Sequence, residues 1–253
     1  MPKHICLLLS IPLVLGACKK DKEEDPAPDD HAHEHGTLAM SVAFMNGSAS
    51  FNFATTYQDG ATNNIRFDKI KFLISDIHVQ DDAGTTVAEF QNRVLLVDAS
   101  VGNSFTLGEI AAGHVHEAHF ALGLDSAANG ADPAAAVAPL DDTDMHATLG
   151  DPLARYNFLV MEGKVDGNND GDFDDVEDVS FTYPCFGNSL LRETHVHVHT
   201  NLTAGSTLTL AIKVDVGTLI SGLDLLSTPT VTISDETVAN TAMDSLVSAI
   251  DEL

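Results

Sequence analysis

The sequence predicts an all-β fold: an antiparallel Ig-like β-sandwich with a C-terminal helix. Three observations carry this prediction. Apolar and polar residues alternate in short runs, Gly, Asp and Asn turns separate those runs, and only the last stretch, 234–253, switches to helical spacing.

The elements follow in order. "MPKHICLLLSIPLVLGAC" has a basic start, a short apolar run and Leu-Gly-Ala before a cysteine. This reads as a lipoprotein signal peptide over 1–17, cut before Cys18, which becomes the lipid anchor. The apolar run is too short to span a bilayer as a helix. Residues 18–35 are acidic and His-rich with few apolar groups, and read as a solvated tether. The expected location is the bacterial cell envelope, lipid-anchored at the outer membrane on its periplasmic or surface face. The sandwich is expected over 36–233. In "TLAMSVAF", Leu38, Met40, Val42 and Phe44 share one face. "SFNFATTY", "IRFDKIKFLISDIHVQ", "RVLLVDAS", "NSFTLGEI" and "GHVHEAHFALGLD" follow as strands. The long Ala-rich connection 125–154 separates them from "RYNFLVMEGKV", "DVSFTY", "THVHVHTNL" and "STLTLAIKVDV". Finally Val238, Ala242, Met243, Leu246, Val247 and Ile250 recur at helical spacing behind an N-capping Ser234 or Asp235.

Charge narrows the function classes. The formal net charge of the 253 residues is −26, which removes a nucleic-acid footprint and favours cations. Cleavage and acylation leave Cys185 as the one free thiol, so no intrachain disulfide is expected. A lone thiol in an exported chain is either buried and inert or a soft ligand, and burial is the favoured reading.

Two motifs point to metals. "DGNNDGDFDDVE" (166–177) matches the spacing of an EF-hand calcium loop, D-x-[DN]-x-[DN]-G-x5-E. The candidate calcium ligands are Asp166, Asn168, Asp170, Asp172, Asp174 and Glu177. Gly171 permits the turn, and the flanking segments are strands rather than helices. The chain also has 12 His. "THVHVHT" places His195, His197 and His199 on one strand face and Val196 and Val198 on the other. "HVHEAH" places His114 and His116 together, and "HAHEH" (31–35) adds a third cluster in the tether. Imidazoles at alternate strand positions suit copper or zinc. "GHVHEAH" is similar to the His-x-His copper ligands of copper–zinc superoxide dismutase, but the rest of that metal loop and its paired cysteines are missing. No nucleophile elbow, phosphate loop or HExxH is present, so the chain is expected to be a non-enzyme. The alternatives are a calcium-binding surface or adhesion module and a copper-dependent dismutase-like redox enzyme.

Read end to end, residues 36–222 resemble the MbnP-like family, copper-binding periplasmic or surface proteins of the MopE/CorA type. "FDKIKFLISDIHVQDDAG", "LLVDAS", "FTLGEIAAGHVHEAHFALGLDSAAN", "DPAAAVAPLDDTDMHATL", "YNFLVMEGKVDGNNDGDF" and "FTYPCFGNSLLRE" are similar to that family's segments, in its order. The resemblance implies a copper-binding β-sandwich and, for some members, a di-haem peroxidase-like partner that oxidises a Trp near the copper to kynurenine. This chain has no Trp. Met145 and His146 stand in the family's M-x-W segment, and Pro184 with Cys185 stands where its Y-H-x-G motif has His. The resemblance therefore implies a copper site that is either lost or rebuilt from Met145, His146, Cys185 and the strand histidines.

Overall fold

The computed structural model describes residues 34–148, 154–232 and 235–253. The signal peptide, Cys18 and residues 18–33 of the tether lie outside the described residues. In chain order the elements are β1 (His35–Asn46), β2 (Ala49–Ser50), β3 (Tyr57–Gln58), β4 (Asn64–Gln80), β5 (Thr86–Phe90), β6 (Leu95–Asp98), β7 (Asn103–Ala111) and β8 (Gly113–Leu122). Then come α1 (Ser126–Asn129), β9 (Asn157–Val165), β10 (Val179–Phe186), β11 (Arg192–Leu202), β12 (Thr207–Asp215), α2 (Val216–Ile220), α3 (Glu236–Ala249) and β13 (Ile250–Glu252). Among the described residues no helix is long and apolar enough to cross a membrane.

The strands form two sheets. The smaller runs β13-β12-β1-β2, with β7 also on β1. The larger runs β10-β9-β4-β8-β11, with β3, β5 and β6 paired to β4. The expectation of purely antiparallel sheets needs correction, because β1 and β12 pair in parallel from Thr37↔Thr207 to Met45↔Asp215. No hairpin constrains this pair: the whole larger sheet lies between them in sequence, long enough for a crossover connection.

One hydrophobic core draws side chains from both sheets. Leu38, Met40, Val42 and Phe44 of β1 are buried as their alternation predicts. The edge of Phe44 meets Phe72 of β4 with ring centroids 6.2 Å apart. Each such buried side chain stabilises the fold by about 1.5–3 kcal/mol relative to exposure. "SFNFATTY" differs from expectation: its centre is a turn, and only its ends are strand. Asn52 accepts from the Ala54 N–H at 2.8 Å and its carbonyl takes the Thr55 N–H at 3.0 Å. Such local bonds compete with a strand ladder. Phe51 still packs, with Phe53 at 4.7 Å and Tyr57 stacked at 5.5 Å.

The C-terminal helix spans Glu236–Ala249 and buries Ala239, Ala242, Met243, Leu246 and Ala249. Asp235 does not cap it with its side chain, because that carboxylate accepts from the Thr232 N–H and hydroxyl instead. The expected helical end beyond Ala249 is strand: β13 pairs with β12, Val214↔Ile250 to Ile212↔Glu252. Burying Ile250 while exposing Asp251 and Glu252 is what an edge of β12 selects.

The 17-residue β4 is the spine of the larger sheet. Its first half pairs with β9 and its second with β8. Lys69 and Lys71 of its first half tie down the long connection. Lys71 reaches Asp142 at 2.8 Å, Asp144 at 2.9 Å and Asp98 at 3.3 Å, while Lys69 reaches Asp144 at 2.8 Å and Glu162 at 3.1 Å. Burial opposes the charge on Lys71, but the hydrogen bonds it donates to Asp142 and Asp144 outweigh it and raise its pKa.

Candidate metal centre

The histidine face arises where β4, β8 and β11 lie side by side. In β11, Val196 points into the core while His195, His197 and His199 point out, as the alternation predicts. The register pairs His195 with His119 and His197 with Glu117 across β8, and His78 of β4 pairs with His119 from the other side. The rings of His78 and His119 stack at 5.0 Å, and those of His119 and His195 at 5.2 Å. Seven imidazoles thus occupy one patch: His78, His114, His116, His119, His195, His197 and His199.

Two irregularities aim these rings. The β8–β11 register shifts between His197 and Thr200, and His199 there has φ +43°. The β4–β8 register shifts between Ser75 and His78, and Asp76 there has φ +48°. Left-handed backbone costs a non-glycine residue roughly 1–2 kcal/mol. Bulges of this kind re-aim side chains next to sites. The first swings His199 to within 4.2 Å, ring to ring, of His116.

Two carboxylates face the rings. Asp82, from the turn after β4, has Oδ1 3.0 Å from His116 Nδ1 and 3.4 Å from His114 Nε2. Glu117 has Oε1 3.2 Å from His197 Nδ1 and accepts a hydrogen bond on Oε2 from His119 Nε2 at 3.0 Å. Desolvation pushes the Glu117 pKa up, but the His119 bond and the nearby His195, His197 and His116 outweigh it and hold the carboxyl below its ordinary value. Asn201 Oδ1 lies 3.1 Å from His114 Nδ1 and orients that ring.

The ligand atoms converge. Asp82, His114, His116 and His199 each bring one within 4.8 Å of all the others, and so do His116, Glu117 and His197. Donors about 2.1 Å from one ion in a tetrahedron lie about 3.4 Å apart. The closest spacings here already reach that value. His116 Nδ1 is buried and makes no hydrogen bond, although Asp82 lies 3.0 Å away. Imidazole with carboxylate is a donor set that fits copper or zinc. A cleft of about 410 Å³, lined in part by Asp82, Val87 and His114, opens beside Asp82.

A family model described as MbnP matches residues 35–238. The chain belongs to the MbnP family. Its fold is similar to the solved structure of MbnP from Methylosinus trichosporium, with TM-score 0.51 and 15% identity over 76% of this chain and 80% of that one. Among curated proteins none matches.

In this MbnP family member the other expected copper ligands lie apart from the histidine face. Cys185 is 0% exposed in the core, and burial pushes its thiol up to about 12. It sits on β10, at the opposite end of the five-strand path from β11, and strands lie about 4.8 Å apart. Met145 is also fully buried. His146 has Nε2 2.9 Å from the Leu140 carbonyl and its ring edge-on to Tyr156 at 5.7 Å. These three residues hold the long connection and the core together. Of the set Met145, His146, Cys185 and the strand histidines, only strand histidines come together, and they do so with Asp82 and Glu117. The sequence reading missed His78, Asp82, His119 and Glu117. Glu117 and His119 lie within "HVHEAH" itself, His78 lies at the end of the β4 segment, and Asp82 lies just past it.

The acidic loop 166–178 is also rearranged relative to expectation. Carboxylate oxygens of Asp170, Asp172 and Asp175 lie within 4.8 Å of one another. Asp166, 3% exposed, instead closes the loop by accepting the Asp170 and Gly171 N–H groups at 3.2 and 3.0 Å. Asn168 donates to Asp170 and Asp175. Asp174 and Glu177 donate backbone N–H groups to Asp172 and Asp175, and neither side chain joins the three-carboxylate group. Gly171, with φ +94°, makes the turn. At Asp172 the Asp174 N–H favours the carboxylate, but desolvation and the charges of Asp170, Asp174 and Asp175 outweigh it and raise the pKa.

Proposed function

We propose that this protein binds a transition metal, copper before zinc, on its histidine face and holds or delivers it in the cell envelope. The observation that carries the reading is the convergence of Asp82, His114, His116 and His199 beside a cleft, with a buried, unbonded ring nitrogen at its centre. Neutral imidazole nitrogens supply the affinity, Asp82 supplies charge, and Asn201 orients His114. Bound copper would supply a redox-active, exchangeable cation. The protein's own residues hold it and keep it reachable from the cleft, which suits carriage rather than turnover. Anchoring through Cys18 would place this face at a membrane surface, with the acidic tether as spacer. A di-haem partner of the family type would find no Trp to oxidise here, so any partnership would concern the metal itself. A calcium ion on the acidic loop is a second reading, favoured by the convergence of Asp170, Asp172 and Asp175.

Metal content of the full chain tests both readings. The purified protein is stripped with chelator, reloaded with copper, zinc or calcium, dialysed and assayed by mass spectrometry. At least one copper per chain is expected to remain, and loss of all copper overturns the copper reading. Retained calcium that disappears in Asp170→Asn/Asp172→Asn supports the loop site, and no retained calcium removes it.

A further inference from the structure

The two converging groups share a single residue, His116, and present its two ring nitrogens to different partners. Nδ1 faces Asp82, with His114 and His199 in the same group. Nε2 lies 3.6 Å from Glu117 Oε1, with His197 in that group. The nitrogens of one imidazole point away from each other, so they cannot both bind the same ion.

We infer that the histidine face holds two metal ions and that His116 bridges them through its two ring nitrogens. This rests on the transition-metal reading above. The first ion takes Asp82, His114, His116 Nδ1 and His199. The second takes His116 Nε2, Glu117 Oε1 and His197. Glu117 is prepared for this role: the His119 bond holds Oε2, which leaves Oε1 toward the second position. His119 is itself held between the stacked rings of His78 and His195. His119 is therefore a positioning residue, and the stack supports the Glu117 carboxylate.

The charges of such a pair nearly balance. A neutral imidazole has one N–H, so binding the second ion releases that proton to water and leaves a bridging imidazolate. Two divalent ions then meet three negative groups: Asp82, Glu117 and the imidazolate. The surrounding protein is strongly acidic, which offsets the remaining charge.

Copper titration of the full chain followed by electron paramagnetic resonance tests this. The expected result is two Cu(II) per chain, with the signals of a magnetically coupled pair, including a half-field transition. His116→Ala should lower the stoichiometry from two to one and abolish the coupling. His119→Ala should keep the first ion and weaken the second by about 10-fold, within the range for residues that orient a metal ligand. Circular dichroism of each variant checks that it folds. A single copper, or two coppers with uncoupled spectra, overturns the bridge and leaves the copper reading standing. No copper at all overturns both.

Discussion

Lys69 and Lys71, in the first half of β4, collect four carboxylates, whereas Asp82 and Glu117, by the second half, face only imidazoles among the ion pairs of the described residues. Both clusters lie along the larger sheet and both concentrate ionisable groups. In the first, the two lysines bring permanent positive charge, so the chain itself supplies each carboxylate with a cationic partner. Lys71, with 12% side-chain exposure, is the more enclosed partner. In the second, the positive charge must come from protons on the rings or from a bound cation. The first cluster is a structural tie, and the second gathers ligand atoms around no permanent cation among the described residues. Charge density alone does not mark a metal site. The sign and permanence of the partner charge do.

Three perturbations sharpen the contrast, beginning with the largest effect. His114→Ala/His199→Ala should lower copper affinity at least about 100-fold, since even residues that only orient a ligand cost 10–100-fold. A competition titration reads this, and unchanged affinity would place the metal elsewhere. The same substitutions should leave unfolding stability within about 1 kcal/mol, because both rings are at least partly exposed.

Lys71→Ala should do the opposite. Removing it strands Asp98, Asp142 and Asp144 around a lysine that is mostly covered. The expected loss is about 2 kcal/mol in denaturant unfolding, below the ~3–5 kcal/mol for a fully buried pair. Copper affinity should not change. A drop in copper affinity would mean that the two halves of β4 are coupled and that the contrast is false.

The smallest effect is in the acid limb. The Lys69 hydrogen bond, then the bond and charge of Lys71, hold Asp144 below its ordinary value of 3.8 against a desolvation cost. A depressed folded-state pKa contributes stability that is present above the unfolded value and lost as pH falls through the folded one. Melting temperature should therefore fall below about pH 4, and Asp144→Asn should flatten that fall without moving the neutral-pH copper affinity. Asp144 is partly exposed, so solvent screens the effect and keeps it modest. Equal acid slopes in parent and variant would remove Asp144 from the tie.

Much of the fold was legible because its signals are local. Strand alternation put Leu38, Met40, Val42 and Phe44 inward and His195, His197 and His199 outward, and both placements are seen. The helical spacing of Val238 to Leu246 did the same for α3, but it ran on past Ala249, where β12 claims the chain end. The favoured burial of Cys185 is also seen. The parallel pairing of β1 with β12 had no sequence signal, since it joins the two ends of the domain. The calcium spacing is local too, yet the loop gathers Asp175 and uses Asp166 for its own closure, because backbone N–H groups compete for the same oxygens.

By itself the sequence determined which residues form strands, which strand faces carry imidazole, and that the chain is acidic with no tryptophan. These follow from periodicity and composition, which act between near neighbours. Tertiary structure decided that β8 lies between β4 and β11, that bulges near Asp76 and His199 turn the rings toward one another, and that Asp82 and Glu117 complete the groups. It also placed Met145, His146 and Cys185 away from the histidine face. Strand order and register are set by burying the core faces of all the strands at once, and no short stretch of sequence contains that constraint.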